Sequence, residues 1–189
     1  LIYGATGYTG RLLAREAVRR GLHPVLAGRN PATVSALAAT LGCEARPVAL
    51  TDGLGLRAAL AGVGVVLHAA GPFSQTAAPM VAACLAGGVH YLDLTGEIAV
   101  LEAVSRHDRE ARRRGLMLMP GVGFDVVPSD CLAAHVARRL PGATRLALGL
   151  RGFGGATRGS TKTLIEHAGR DVGIRRAGAM VAVQIGRAH

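Results

Sequence analysis

Short apolar runs alternate with amphipathic stretches from the first residue to residue 119. Runs at 1–3, 24–27, 45–50, 63–69, 89–94 and 116–119 have the length and composition of strands, the fourth being rich in valine. Between them, 8–20, 31–41, 54–60, 77–86 and 98–114 read as helices. Leu12, Leu13, Ala17 and Val18 fall on one side of the first, and Pro31 suits the opening turn of the second. One helix between each consecutive pair of strands implies a parallel sheet with helices on both faces. Right-handed crossovers then narrow the α/β topology to a Rossmann-type doubly wound sheet. Such sheets bind ligands beyond the carboxyl ends of their strands, so the turns after each strand are where chemistry is expected.

After Pro120 the rhythm changes. Residues 128–140 are helical in pattern, while 144–153 place Leu146, Leu148 and Leu150 at alternate positions, as a half-buried strand does. A further helix is expected at 160–167, followed by an arginine- and glycine-rich tail with a strand-like stretch at 180–185. The expected division is a nucleotide-binding domain at 1–127 and, at 128–189, the start of a mixed α+β substrate domain that stops before it closes. Only three apolar residues precede the turn at Gly4, against about 5–6 in an ordinary strand, so the sequence reads as a fragment.

Composition narrows the class further. Glycine contributes 27 of 189 residues without a triplet period, and hydrophobic residues make up 50%, which excludes collagen and general disorder. No apolar run reaches the ~18–20 residues of a membrane span. The net charge of +10 raises nucleic-acid binding. Its distribution argues against that: the arginines close helices at Arg19-Arg20, Arg112–Arg114 and Arg138-Arg139, and no aromatics alternate with them. Cys43, Cys84 and Cys131 match no metal-ligand spacing and read as small buried hydrophobes in a reducing cytoplasm, so no metal is expected.

The first turn, Gly4-Ala5-Thr6-Gly7-Tyr8-Thr9-Gly10, is G-x-x-G-x-x-G directly after a strand and opening a helix. The first glycine permits the tight turn, the second a close approach of backbone to a pyrophosphate, and the third close packing of helix on sheet. N–H groups from Gly7 to Gly10 would then face the phosphates with the helix dipole behind them. No Gly-Lys-Ser/Thr follows, which excludes a Walker A loop. At the end of the second strand, where an NAD site places an acid, stand Arg29 and Asn30. A charged hydrogen bond from Arg29 to a 2′-phosphate contributes ~1.5–3 kcal/mol, a preference for NADP(H) of roughly 10- to 150-fold.

The fourth strand ends in His68-Ala69-Ala70-Gly71-Pro72-Phe73, a Gly-Pro turn on the nicotinamide side with Phe73 as an apolar wall and His68 as a strand residue. Tyr91-Leu92-Asp93-Leu94-Thr95-Gly96-Glu97 carries two acids four apart, and residues 120–130 include Asp125. Candidates for a proton donor are Asp125, Glu97 and Lys162, and no catalytic residue is assigned.

GATGYTG at 4–10, AGR at 27–29, AAGPF at 69–73, YLDLTGE at 91–97 and GVGFDVVPSD at 121–130 together resemble the saccharopine dehydrogenase-like oxidoreductases. That group includes the trans-acting enoyl reductases of mycobacterial lipid synthesis. The resemblance extends over about residues 1–170. It implies an NADP-binding domain followed by a substrate domain on a mixed sheet, in a protein about twice this long. By position it implies that Gly4, Thr6, Gly7, Tyr8, Thr9 and Gly10 hold the pyrophosphate, Arg29 the 2′-phosphate, and Ala70, Gly71 and Pro72 the nicotinamide side.

The expected function is hydride transfer from NADPH to a C=C, C=N or C=O bond of a small-molecule or acyl substrate. The alternative is an NADP-sensing protein without turnover. A short-chain dehydrogenase is disfavoured, since no tyrosine has a lysine four residues on. Oligomerisation through the second domain is left open.

Overall fold

In the first six strands, successive side chains take opposite faces of one sheet, as the two-residue period of a strand requires. The computed structural model describes residues 1–149, 161, 165, 172–176 and 179–183. The chain divides into two units, Leu1–Gly154 and Gly155–His189.

In the first unit the strands are β1 (Ile2–Tyr3), β2 (Leu26–Gly28), β3 (Ala45–Pro47), β4 (Val65–His68), β5 (His90–Asp93) and β6 (Leu118–Met119). All pair in parallel in the order β3-β2-β1-β4-β5-β6, which is the doubly wound order. The helices are α1 (Tyr8–Arg19), α2 (Pro31–Leu41), α3 (Gly53–Ala59), α4 (Phe73–Gly87), α5 (Ile98–Ser105), α6 (Asp108–Arg113) and α7 (Val127–Arg139). Ile2 and Leu26 pack with Ala14 of α1 and Ala38 of α2 on one face. Tyr3, Ala27, Val66 and Tyr91 pack on the other with Leu56 of α3, Met80 and Cys84 of α4, and Val100 and Val104 of α5. Burying each Val or Leu of these layers contributes about 1.5–3 kcal/mol, so the two cores hold the sheet between its helices. The order of strands reverses between β1 and β4, placing the ligand crevice at the carboxyl ends of those two strands.

In the second unit β7 (Val172–Arg176) and β8 (Ala179–Val183) form an antiparallel pair with Ile174 opposite Val181. Among the described residues no helix is long and apolar enough to cross a membrane.

Four elements differ from the sequence expectation. The helix expected at 98–114 is two helices, because Ser105 to Glu110 offers no apolar side chain to the core. There the Ser105 hydroxyl donates back to the Glu102 carbonyl at 2.8 Å, and Asp108 opens a new first turn. Helix α4 starts four residues early, at Phe73 rather than 77. Residues 144–149 form no strand: Leu146 and Leu148 are 59% and 48% exposed, and alternation with no partner strand among the described residues stabilises nothing. The remainder of that expected strand, and all of the 160–167 helix except Thr161 and Ile165, which are helical, lie outside the described residues. Strand β7 went unread because its two arginines and glycine masked the β-branched pair Val172 and Ile174.

Candidate functional site

Gly4 leaves β1 with φ +81, a left-handed conformation that glycine adopts without strain. Its N–H donates to the Ala27 carbonyl at 2.9 Å, and its own carbonyl accepts the Gly7 N–H at 3.0 Å, closing the turn. A methyl group at Gly4 would come within 2.8 Å of both Ala70 Cβ and Ala70 N. The loops after β1 and β4 therefore touch at the point where the strand order reverses. A methyl group at Gly10 would overlap the Gly4 carbonyl oxygen, so the third glycine is what lets α1 begin against the turn.

The first turn of α1 is left open. Gly7 at its cap makes no side-chain hydrogen bond, and no acidic residue lies in the first turn. The N–H groups of Tyr8, Thr9 and Gly10 find no acceptor among the described residues, and Gly7, Tyr8 and Thr9 are exposed. Its neighbours supply their own caps: Asn30 Oδ1 accepts from Thr33 N at 3.1 Å in α2, and Asp52 Oδ1 accepts from Gly55 N at 2.8 Å in α3. Arg11 Nε donates to the Thr6 carbonyl at 3.0 Å and steadies the loop. Arg29 follows β2 directly and is exposed, without an ion pair among the described residues. Burial raises the Tyr3 hydroxyl above its ordinary range, and the Arg29 charge opposes that rise.

Glu97 and Asp93 have structural partners. The Glu97 carboxylate accepts the N–H groups of Phe73 and Ser74, both at 3.0 Å, and so caps α4 from another loop. Glu97 N donates to Thr95 Oγ1 at 3.0 Å. Asp93, fully buried, accepts the Tyr91 hydroxyl at 2.6 Å and the N–H groups of Thr95 and Gly121, each at 2.9 Å. Burial and the neighbouring Asp93 charge hold the Tyr91 hydroxyl well above its ordinary range. These bonds tie the loops after β4, β5 and β6 into one rim.

Asp125 differs. Its carboxylate is exposed, makes no hydrogen bond among the described residues, and lies in a notch kept open by two glycines. A methyl group at Gly96 would sit 2.5 Å from Asp125 Oδ2, and one at Gly123 would sit 2.9 Å from Oδ1. Lys162 lies outside the described residues.

The Gly71-Pro72 peptide is cis, with Pro72 buried at the cap of α4. Phe73 packs edge-on against His68, ring centroids 5.5 Å apart, and joins the core layer. His68 is fully buried, also stacked near Tyr3 and Tyr91, and its Nε2 meets Thr76 Oγ1 at 3.0 Å. Burial pushes its imidazole from 6.5 down to about 4. Between those values the unfolded chain binds a proton that the folded chain refuses, so stability rises with pH across the window. Lowering the pH from 7 toward 4 is expected to remove up to about 3 kcal/mol through this one residue. Urea midpoints across that range check it: His68→Gln should flatten the slope, and an unchanged slope would assign the acid sensitivity elsewhere.

Arg11, Thr76, Asp93 and Thr95 were not singled out for these roles by sequence reasoning. Arg11 carried a signal, since a cation in a helix's first turn opposes the dipole and is tolerated where an anion belongs. Thr76 and Thr95 bond within eight residues, but through loop backbone whose path spacing does not show, and Asp93 reaches the Gly121 N–H 28 residues on.

A family model described as the saccharopine dehydrogenase NADP binding domain matches residues 1–119. A candidate trans-acting enoyl reductase of Mycobacterium tuberculosis H37Rv is 34% identical over 193 residues, which is 93% of this chain and 46% of that protein. The trans-acting enoyl reductase of Mycobacterium bovis BCG is 34% identical over 147 residues, covering 74% of this chain and 35% of its own. This chain thus spans about half the length of such relatives or less. Among solved structures, saccharopine dehydrogenase (L-Glu forming) from Saccharomyces cerevisiae superposes with a TM-score of 0.64 at 19% identity, over 74% of this chain and 30% of that one, a likeness of fold.

Proposed function

Because the chain belongs to the saccharopine dehydrogenase NADP-binding domain family, we propose that it is the cofactor-binding part of an NADPH-dependent reductase. The observation that carries this is the glycine turn at the switch point, packed too closely for a methyl group at Gly4 or Gly10 and opening a helix whose first N–H groups are uncapped. In this proposal Gly4, Thr6, Gly7, Tyr8, Thr9 and Gly10 hold the pyrophosphate through backbone and turn, and Arg29 with Asn30 receives the 2′-phosphate. Ala70, Gly71 and Pro72 line the nicotinamide side. Residues 1–127 are the cofactor part and 128–189 begin the substrate part. NADPH, when bound, supplies a hydride.

The chain's own groups orient and protonate. Glu97 uses both carboxylate oxygens on α4, so it holds the rim rather than a substrate. Of the two candidate acids Glu97 and Asp125, Asp125 has both oxygens free of hydrogen bonds among the described residues, and it is the proton donor in this proposal. Relatives named as trans-acting enoyl reductases favour an α,β-unsaturated acyl substrate. Of the three cysteines expected to be buried only Cys84 is, Cys43 being half-buried and Cys131 exposed on α7, and their free thiols suit a cytoplasmic setting.

Arg29→Ala is expected to weaken NADPH binding roughly 10- to 150-fold and leave NADH within about twofold, as fluorescence titration would show. Equal losses for both nucleotides would remove Arg29 from the site. Steady NADPH oxidation coupled to reduction of an enoyl thioester supports the reductase; tight binding without turnover, in a chain of the relatives' length, supports an NADP sensor.

A further inference from the structure

The hydroxyl of Thr76, in the first turn of α4, sits between three groups. Ala70 O lies at 2.6 Å, Pro72 O at 3.0 Å and His68 Nε2 at 3.0 Å. A threonine hydroxyl has one hydrogen to give and lone pairs to receive. Both carbonyls can only accept, so the hydrogen goes to them, and the shorter distance assigns it to Ala70 O. His68 Nε2 must then be the donor into Thr76 Oγ1. The opposite tautomer would place a bare hydroxyl lone pair against Ala70 O and bury an N–H at Nδ1. In the assigned tautomer Nδ1 carries only a lone pair, and this is the buried side-chain atom left without a partner among the described residues.

The consequence falls on the next peptide group. In a trans peptide the carbonyl and the N–H of one plane point in opposite directions. Ala70 O is drawn toward α4, so the Gly71 N–H is directed away from α4. Gly71 is exposed, and its N–H makes no hydrogen bond among the described residues. The same turn touches the phosphate loop, since Ala70 is the residue a methyl group at Gly4 would strike.

We propose that Thr76 and His68 are positioning residues, holding the Ala70–Gly71 peptide so that the Gly71 N–H stands ready as a donor to an oxygen on the nicotinamide half of the bound dinucleotide. This rests on the nucleotide-binding proposal above and adds a donor and its support to it. His68 contributes by what it cannot do: confined among Tyr3, Phe73 and Tyr91, it stays neutral and keeps its one hydrogen on Nε2.

The test compares NADPH with its adenosine half alone, 2′-phosphoadenosine 5′-phosphate, by titration of this chain. Thr76→Val is expected to weaken NADPH about tenfold and leave the adenosine half within about twofold; Thr76→Ser should restore NADPH binding. His68→Gln keeps a donor near Nε2 and should bind like wild type, whereas His68→Leu should match Thr76→Val. In the unmodified chain, the Gly71 amide proton should move downfield on adding NADPH and stay in place with the adenosine half. Unchanged NADPH binding by Thr76→Val, equal losses for both ligands, or an unmoved Gly71 amide each overturns the positioning role while leaving nucleotide binding intact. A wild-type chain that binds neither ligand overturns the nucleotide-binding proposal instead.

Discussion

Gly10→Ala is expected to cost about 3 kcal/mol or more of folding stability and to abolish NADPH binding. The methyl group has no room: it would overlap the Gly4 carbonyl oxygen and approach Gly4 C at 2.8 Å and Ala5 Cα at 2.9 Å. All three are backbone atoms, so no side chain can rotate away. Either α1 moves off the sheet, exposing Ala14, or the Gly4–Gly7 turn opens and its N–H groups lose their common direction. Both outcomes damage the same site. Gly53→Ala is the control, because nothing lies within 4 Å of a methyl group at that position in the first turn of α3. It should leave binding unchanged and stabilise by about 0.5–1 kcal/mol through the unfolded chain. Urea denaturation and NADPH titration on the two variants separate them. Similar effects from both would mean that the glycine turn carries no special constraint.

Asp93→Ala should be nearly as damaging, at about 3–5 kcal/mol, since it strands three donors in a buried place. The Tyr91 hydroxyl and the N–H groups of Thr95 and Gly121 all lose their acceptor. Asp93→Asn should cost only about 1 kcal/mol. Its carbonyl oxygen can still accept from Thr95 and Gly121, while its amide donates to the Tyr91 oxygen, leaving one hydroxyl hydrogen unpaired. The charge is thus dispensable and the acceptor geometry is not. Thermal melts of both variants decide this. An asparagine variant as unstable as the alanine one would show that the ionised carboxylate is essential, and a mild alanine variant would show that the rim holds together without Asp93.

The parts of the fold that were legible share one property: their cause is local. The glycine turn announces itself by spacing, Pro31 and Asn30 mark the start of α2, and alternating strands and helices set the sheet order. What was hidden depends on contacts made across the chain. Phe73-Ser74-Gln75-Thr76 looks like loop, yet it is the first turn of α4 because Glu97 caps it from 23 and 24 residues away. The two acids of 91–97 suggested proton transfer by their spacing, but Asp93 accepts from Tyr91, Thr95 and the Gly121 N–H of another loop, and Glu97 accepts the Phe73 and Ser74 N–H groups of another. The alternating leucines at 146 and 148 show the reverse error, a local pattern that forms no strand and has no partner strand among the described residues. Arg29 was legible because its meaning lies in what it replaces at the end of β2.

The central claim is that the carboxyl edge between β1 and β4 is built for a dinucleotide bearing a 2′-phosphate. Titrating this chain with NADPH and with NADH at one ionic strength tests it most directly. NADPH binding tighter by roughly 10- to 150-fold is the expected result. Equal affinities, a preference for NADH, or no binding of either nucleotide would contradict it.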